Sequence, residues 1–181
     1  MSTPTAVPAF KRFQSLLPWI ISMAVIIVAS NILVEIPINE WLVWGALTYP
    51  LAFLITDLTN RQRGSNDARL VVYSGFAIGV VASLYFATPR IALASGTAFL
   101  ISQLFDVTVF DRLRKQLWWI APLVSSILSA VLDTVLFFSL AFYGTGEPWT
   151  GWMMGDLGVK WLVALMALGP YALLMSRRVA Q

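Results

Sequence analysis

Long apolar runs alternate with short polar segments along most of this 181-residue chain. Each run is about 20 residues long, which is the length an α-helix needs to cross a bilayer. No run alternates polar and apolar positions over about ten residues, as lipid-facing barrel strands do, so spanning strands are excluded. The pattern predicts an all-α integral membrane protein with six transmembrane helices, at residues 16–35, 41–59, 69–87, 90–110, 118–142 and 152–175.

The basic residues predict how these helices are oriented. Ten of the twelve Lys and Arg residues lie on one side of the predicted helices, while Arg90 lies on the other side and Lys160 lies within the sixth helix. Short cytoplasmic loops carry an excess of Lys and Arg, so both chain ends are predicted to be cytoplasmic. The ten are Lys11, Arg12, Arg61, Arg63, Arg69, Arg112, Arg114, Lys115, Arg177 and Arg178.

Composition leaves little room for a water-soluble domain. Hydrophobic residues make up 59% of the chain and charged residues 12%, against roughly a quarter charged in soluble domains. We therefore predict a loose cytoplasmic tail at residues 1–13 and one transmembrane domain at residues 14–178, with the first apolar run retained in the mature protein. The net charge of +3 comes from loops beside the membrane, so no nucleic-acid partner is expected.

His and Cys are absent from the chain. Imidazole bases, thiolate nucleophiles and the usual Zn, Cu or Fe ligands are therefore excluded. The carboxylates fall on different predicted helices at different depths, which argues against a shared metal site in an intramembrane enzyme. We predict no cofactor, no metal and no catalysis, and a carboxylate-dependent enzyme is the least favoured alternative.

Three polar residues are predicted in the outer half of the helices, where a charge costs about 2.5 to 3.5 kcal/mol and needs a partner or water. Asn31 and Asp133 are expected about 8 Å from the outer face, and Lys160 about 12 Å, so the three are able to converge. Asp133 has no charged neighbour within one turn, which favours a functional role. Lys160 follows Asp156 by four residues, so pairing within its own helix is the alternative to pairing with Asp133.

A second polar layer is predicted nearer the cytoplasmic face. Gln103 is expected about 10 Å from that face, and Asp57 and Asp106 about 6 Å from it. Asp57 lies one turn before Arg61, so an ion pair at the helix end is the alternative to ligand contact. Gln103 has its own alternative, a hydrogen bond between helices without any ligand.

Steps of three or four residues place the polar groups on shared helix faces with aromatic rings. Such faces are unsuited to lipid and are predicted to line an interior. The stripes are Tyr49, Phe53 and Asp57 on the second helix, Phe99, Gln103 and Asp106 on the fourth, and Ser126, Ser129 and Asp133 on the fifth. Gly75, Gly79 and Ser83 predict close approach of another helix to the third, and Pro50 predicts a bend in the second.

At these polar residues the sequence resembles the bacterial queuosine-precursor transporters, the vitamin-uptake-transporter-like family, over residues 29 to 175. The resemblance is carried in order by Ala29-Ser30-Asn31, Tyr49-Pro50, the segment from Phe53 to Thr59, the segment from Ser102 to Val107, the segment from Trp118 to Pro122, Asp133-Thr134, and Asp156 with Lys160. It implies import of 7-cyano-7-deazaguanine and 7-aminomethyl-7-deazaguanine across the bacterial inner membrane, for tRNA modification.

The residue types suit a guanine-like ligand. A carboxylate accepts adjacent N–H donors, an amide or ammonium group donates to the ring carbonyl, and an aromatic side chain stacks on the ring. The predicted substrate-binding residues are Asn31, Tyr49, Phe53, Asp57, Phe99, Gln103, Asp106, Asp133 and Lys160.

The chief alternative is a substrate-binding subunit of an energy-coupling-factor vitamin importer, a class to which the family is remotely similar. Such subunits dock on their partner through small residues spaced four apart on the first helix. Ser22, Ile26 and Ser30 do not make such a stripe, and a solitary transporter is therefore favoured. The sequence leaves a homo-oligomer open.

Overall fold

The computed structural model describes residues 9–34, 36–39 and 42–179, and within them the protein is a bundle of helices with one short hairpin. The elements are α1 Ala9–Leu33, β1 Pro37–Asn39, β2 Leu42–Val43, α2 Trp44–Thr48, α3 Leu51–Arg63, α4 Ser65–Phe86, α5 Pro89–Leu113, α6 Ile120–Phe142 and α7 Trp149–Val179. Among the described residues, α1, α4, α5, α6 and α7 are long and apolar enough to cross a membrane. The predicted all-helical membrane architecture is confirmed at this level.

The helix predicted at residues 41–59 is divided into α2 and α3. Pro50 lies between them, and because proline has no N–H it cannot continue the helical hydrogen bonds. The chain turns here, and the Ala52 N–H donates to the Tyr49 carbonyl at 3.0 Å. The predicted effect of Pro50 is confirmed as an interruption, and α3 then runs four residues beyond the predicted end, to Arg63.

The chain at the start of α1 and after its end differs from the prediction. α1 begins at Ala9, so residues 9–13 of the predicted tail are helical, and residues 1–8 lie outside the described part of the chain. The connection after α1 contains the antiparallel hairpin of β1 and β2, which pairs Asn39 with Leu42. This hairpin was not predicted, since its strands are too short to show a pattern.

The outer surface of the bundle is apolar. Leu84, Leu93 and Met166 are 74%, 73% and 68% exposed, and many other large apolar side chains are exposed around them. Such a surface is unsuited to water and suited to lipid. Together with the spanning helices it identifies a multi-pass membrane protein.

α1 packs closely on the small-residue stripe of α4. A Cβ atom added at Gly75 would lie 2.6 Å from Met23 Cγ, and one at Gly79 would lie 3.3 Å from Ile27 Cγ2. Met23 and Ile27 are buried in the core against this surface. The close approach predicted from the spacing of the glycines is confirmed.

Basic residues from separate segments gather at one end of the bundle. Arg12 Nη2 lies 2.5 Å from Asp67 Oδ1, and Arg63 Nε lies 3.2 Å from the other oxygen of the same carboxylate. The start of α1, the end of α3 and the start of α4 therefore meet there. Arg90 lies at the other end, where its guanidinium donates to the Tyr143 carbonyl at 2.6 Å.

Candidate functional site

A buried charged cluster joins α6 to α7. Lys160 Nζ lies 2.8 Å from Asp133 Oδ2 and 2.5 Å from Asp156 Oδ2. Lys160 is 4% exposed and Asp133 is 2% exposed. Both pairings considered for Lys160 are therefore present at once, and two carboxylates with one ammonium give the cluster a formal charge of −1.

Helical spacing and one threonine explain how the cluster is held. Asp156 and Lys160 are one turn apart on α7, so their side chains share a face. Thr134 follows Asp133 on α6; its hydroxyl donates to Asp156 Oδ2 at 2.9 Å and accepts from Lys160 Nζ at 3.0 Å. Thr134 thus bridges both charged groups of α7, and it fixes the contact between the two helices.

Asp133 also receives two hydroxyl donors from other parts of the bundle. Tyr49 Oη donates to Asp133 Oδ1 at 3.0 Å, and Ser102 Oγ of α5 donates to the same oxygen at 3.1 Å. The Tyr49 ring lies under the Lys160 ammonium, 5.5 Å from it, in a cation–π arrangement. Because Tyr49 stands at the break between α2 and α3, that break positions its hydroxyl at the cluster.

A cavity of about 500 Å³ opens onto this cluster and extends to Ala87 and Thr88, between α4 and α5. Its volume lies within the range usual for small-molecule sites, roughly 300 to 1,000 Å³. Five of the nine predicted substrate-binding residues line it, namely Asn31, Tyr49, Phe99, Asp133 and Lys160. The rings of Tyr49 and Phe99 meet edge to face, with centroids 6.2 Å apart.

Asn31 lines the cavity away from the charged cluster. Its Nδ2 donates to the Ile27 carbonyl of its own helix at 2.9 Å, and its Oδ1 accepts from Ser83 Oγ at 3.4 Å. Asn31, Asp133 and Lys160 therefore line the same cavity, as expected. No hydrogen bond joins Asn31 to either of the other two.

The other four predicted residues lie outside the large cavity. Phe53 and Asp57 line a second cavity of about 10 Å³. Gln103 and Asp106 are fully buried, and Gln103 Oε1 accepts from Thr56 Oγ1 at 2.6 Å. Of the described residues, none forms an ion pair with Asp57; the alternative partner Arg61 donates instead to a backbone carbonyl, at 2.6 Å.

Sequence reasoning missed several groups at this site. Ser102 and Thr134 were not among the predicted substrate-binding residues, although they are the sequence neighbours of Gln103 and Asp133, which were. Asp156 was considered only as a partner for Lys160, yet it lines the cavity. Trp152 also lines the cavity, and its ring packs on Phe142 with centroids 5.6 Å apart. Helix rotation decides these contacts, and spacing alone does not reveal it.

The described residues contain no group of three or more Asp, Glu, His or Cys side chains that could hold a metal ion. The arrangement instead offers carboxylate acceptors, one ammonium donor and aromatic rings around a cavity. Those groups bind a small polar ring through hydrogen bonds and stacking.

Comparison with known proteins gives consistent matches. The family model described as "Putative vitamin uptake transporter" matches residues 43–88 and 82–175. A Haemophilus influenzae protein named "Probable queuosine precursor transporter" is 36% identical, with 74% of this chain and 72% of that protein aligned. The Escherichia coli "Queuosine precursor transporter" is 30% identical, over 92% of this chain and 89% of its own length. No solved structure matches.

Proposed function

This chain belongs to the family described as "Putative vitamin uptake transporter" and is related to the Escherichia coli "Queuosine precursor transporter" and the Haemophilus influenzae "Probable queuosine precursor transporter", and we propose that it imports queuosine precursors. The substrates we assign are 7-cyano-7-deazaguanine and 7-aminomethyl-7-deazaguanine, and the direction is into the cytoplasm across the bacterial inner membrane. The observation that carries this proposal is the cavity of about 500 Å³ with the charged cluster of Asp133, Asp156 and Lys160 in its wall.

The free acceptor of the cluster is on Asp156. Asp133 uses one oxygen for Lys160 and the other for two hydroxyl donors. Asp156 uses Oδ2 for Thr134 and Lys160, and no hydrogen bond from the described residues reaches its Oδ1. The Asp156 side chain is also the more accessible of the two, at 18% against 3%. We assign Asp156 Oδ1 to the adjacent N–H donors of the guanine-like edge.

The charge of the cluster favours one of the two precursors. The 7-aminomethyl group is a primary amine, which carries a positive charge at neutral pH, whereas the 7-cyano group is uncharged. A cluster with a formal charge of −1 attracts the charged ligand, and the attraction is strengthened by burial. Tyr49 and Phe99 supply the aromatic faces for the heterocycle.

The arrangement of α2 and α3 supports a six-crossing topology. α2 starts beside the end of α1, where a Cβ atom at Gly45 would lie 2.9 Å from Val34 Cα. α3 ends beside the start of α1, where Arg63 Nη2 donates to Ser15 Oγ at 2.5 Å. Together α2 and α3 therefore run the length of α1 in the opposite direction. We infer that they form one interrupted crossing, with the basic end of the bundle in the cytoplasm.

Queuosine content in tRNA tests the assignment in cells. In a bacterium that cannot make the precursors and has no other uptake route, tRNA should contain queuosine only when this protein is present and precursor is supplied outside. Asp133→Asn should remove the effect, while Asp111→Asn, at an exposed ion pair with Arg114, should not. Equal queuosine content with and without the protein would reject the substrate assignment.

A further inference from the structure

Two carboxyl groups lie side by side in the bundle, outside the large cavity. Asp57 on α3 and Asp106 on α5 are 2% and 0% exposed, and they lie where these two helices are joined by hydrogen bonds from Thr56 to Gln103 and from Asn60 to the Val107 carbonyl. Neither forms an ion pair within the part of the chain that the structure describes. With both groups ionised, two adjacent negative charges would be held away from water, which a low-dielectric interior strongly disfavours.

The hydrogen bonds around this pair are unevenly distributed. Asp57 accepts one hydrogen bond at each oxygen, from Ser125 Oγ and Ser126 Oγ, both at 3.2 Å. Both oxygens of Asp106 are buried without a donor, and the neighbouring Ser129 hydroxyl, also fully buried, has no partner. A carboxylate only accepts, whereas a carboxylic acid also donates. A proton on Asp106 would let that group donate to Asp57.

We propose that Asp57 and Asp106 bind one proton between them and that this proton is imported together with the substrate. The proposal rests on the proposed function, because it names the ion that drives the same transport. In each cycle one H⁺ adds to a carboxylate oxygen of the pair, changing its charge from −2 to −1. The same O–H bond then breaks and releases H⁺ to the cytoplasm.

A second cavity lies between Asp57 of this pair and Lys160 of the substrate site. It has a volume of about 10 Å³, room for roughly one water molecule, and its lining includes Asp57, Ser126 and Lys160. Lys160 also lines the large cavity. The ammonium that contacts Asp133 and Asp156 is therefore within one small cavity of the proton pair, which provides a physical link between ligand binding and protonation.

The remaining ionisable groups near the pair are already engaged or neutral. They are Tyr171 and Lys160 from α7, Arg61 from α3 and Arg114 beyond α5. Lys160 is paired with Asp133 and Asp156, and both arginines donate to backbone carbonyls. α6 contributes only serine hydroxyls. A proton is favoured over a metal cation because, among the described residues, no third Asp, Glu, His or Cys side chain joins the pair to complete a set of metal ligands.

Transport driven by a pH gradient tests this proposal. The full chain is reconstituted alone in sodium-free liposomes, and uptake of labelled 7-aminomethyl-7-deazaguanine is measured with and without an acidic exterior. We take the ratio of the uptake rate with an acidic exterior to the rate without it. This ratio should be at least about ten for the original protein and for Asp111→Asn, and near one for Asp57→Asn and Asp106→Asn. An unchanged ratio for the original protein, a requirement for sodium, or an undiminished ratio in both variants would overturn the proposal.

Infrared difference spectra separate this proposal from the substrate assignment. Purified protein without substrate is compared at a pH of about 6, where exposed carboxylates are ionised, and at alkaline pH, and the carbonyl stretching band of a protonated carboxylic acid is followed. The band should be present in the original protein and in Asp111→Asn, and should be lost in Asp57→Asn and in Asp106→Asn. If the liposomes take up no precursor but the band behaves as stated, only the substrate assignment fails. If the band is absent, or is unchanged in both variants, the proton site fails.

Discussion

The Lys160 ammonium on α7 lies 2.8 Å from the Asp133 carboxylate on α6, and both groups are almost fully buried. Asp156 approaches the same ammonium at 2.5 Å from within α7. One cation therefore balances two carboxylates, and one of these contacts ties two helices together. Removing a single member leaves a buried charge without its partner, which is far costlier than losing an exposed pair.

We expect Lys160→Met to lower the free energy of unfolding by about 3 to 5 kcal/mol, because it strands two carboxylates. Adding Asp133→Asn to this variant should recover about 1 to 3 kcal/mol, since one stranded charge is then removed. Unfolding of the purified protein in detergent measures both values. The recovery with Asp156→Asn should be smaller, because the Asp156 side chain is 18% exposed.

The exposed pair of Asp111 and Arg114 provides the control for these measurements. Asp111→Asn should change the free energy of unfolding by about 1 kcal/mol or less. Each double variant is compared with its two single variants in a double-mutant cycle, one cycle for Lys160 with Asp133 and one for Lys160 with Asp156. Strictly additive losses in both cycles would contradict the charged cluster as described.

Asp156→Asn should change substrate preference. The substitution brings the formal charge of the cluster from −1 to zero and removes the assigned carboxylate acceptor. Affinity for 7-aminomethyl-7-deazaguanine should fall at least about tenfold, an effect of about 1.4 kcal/mol, and affinity for the uncharged 7-cyano compound should fall less. Competition binding to the purified protein measures the ratio. Equal losses for both ligands would contradict the role of charge.

Gly45→Ala should disturb the mouth of the cavity. A Cβ atom at Gly45 would lie 2.9 Å from the Val34 backbone and 3.0 Å from the Ser30 carbonyl, so α2 would be displaced from the end of α1. We expect a loss of about 1 to 3 kcal/mol in unfolding free energy, together with slower uptake. Gly158→Ala is the matched control, because no atom lies within 4 Å of its added Cβ. Equal effects of the two substitutions would show that this close contact is absent.

Cysteine labelling tests the orientation of the bundle. The chain contains no Cys, so each introduced thiol is a unique probe. A membrane-impermeant maleimide should label Glu147→Cys in intact cells, because the α6–α7 connection is predicted outside. Gln116→Cys should be labelled only after the membrane is opened. The reverse pattern would place the basic end of the bundle outside the cell.

Much of the fold was predictable because lipid imposes a simple rule on sequence. Apolar length predicted the five long helices, and Gly75 and Gly79 predicted that another helix approaches α4 closely, as α1 does. The helix predicted at residues 41–59 is divided into α2 and α3, whereas only a bend was predicted there. Proline predicts a missing N–H but not the turn that follows. The hairpin between α1 and α2 has strands of three and two residues, too short for any periodic signal.

The site was predictable in residue type and approximate depth, but not in detail. Depth along each helix brought Asp133 and Lys160 together, and their contact at 2.8 Å agrees with that expectation. Rotation of each helix about its axis determines which hydroxyls reach the cluster, and sequence spacing does not encode it. For this reason the roles of Ser102 and Thr134 emerged only from the structure.

Uptake by the purified chain in liposomes is the decisive test of whether this protein imports queuosine precursors. Liposomes that contain this protein alone, with no ATPase partner, are mixed with labelled 7-aminomethyl-7-deazaguanine, and internal label is followed over time against empty liposomes and against Asp133→Asn. We expect saturable uptake by the original protein, competition by 7-cyano-7-deazaguanine but not by unrelated vitamins, and loss of uptake in Asp133→Asn. Internal label no higher than in empty liposomes, or uptake that Asp133→Asn leaves unchanged, would contradict this assignment.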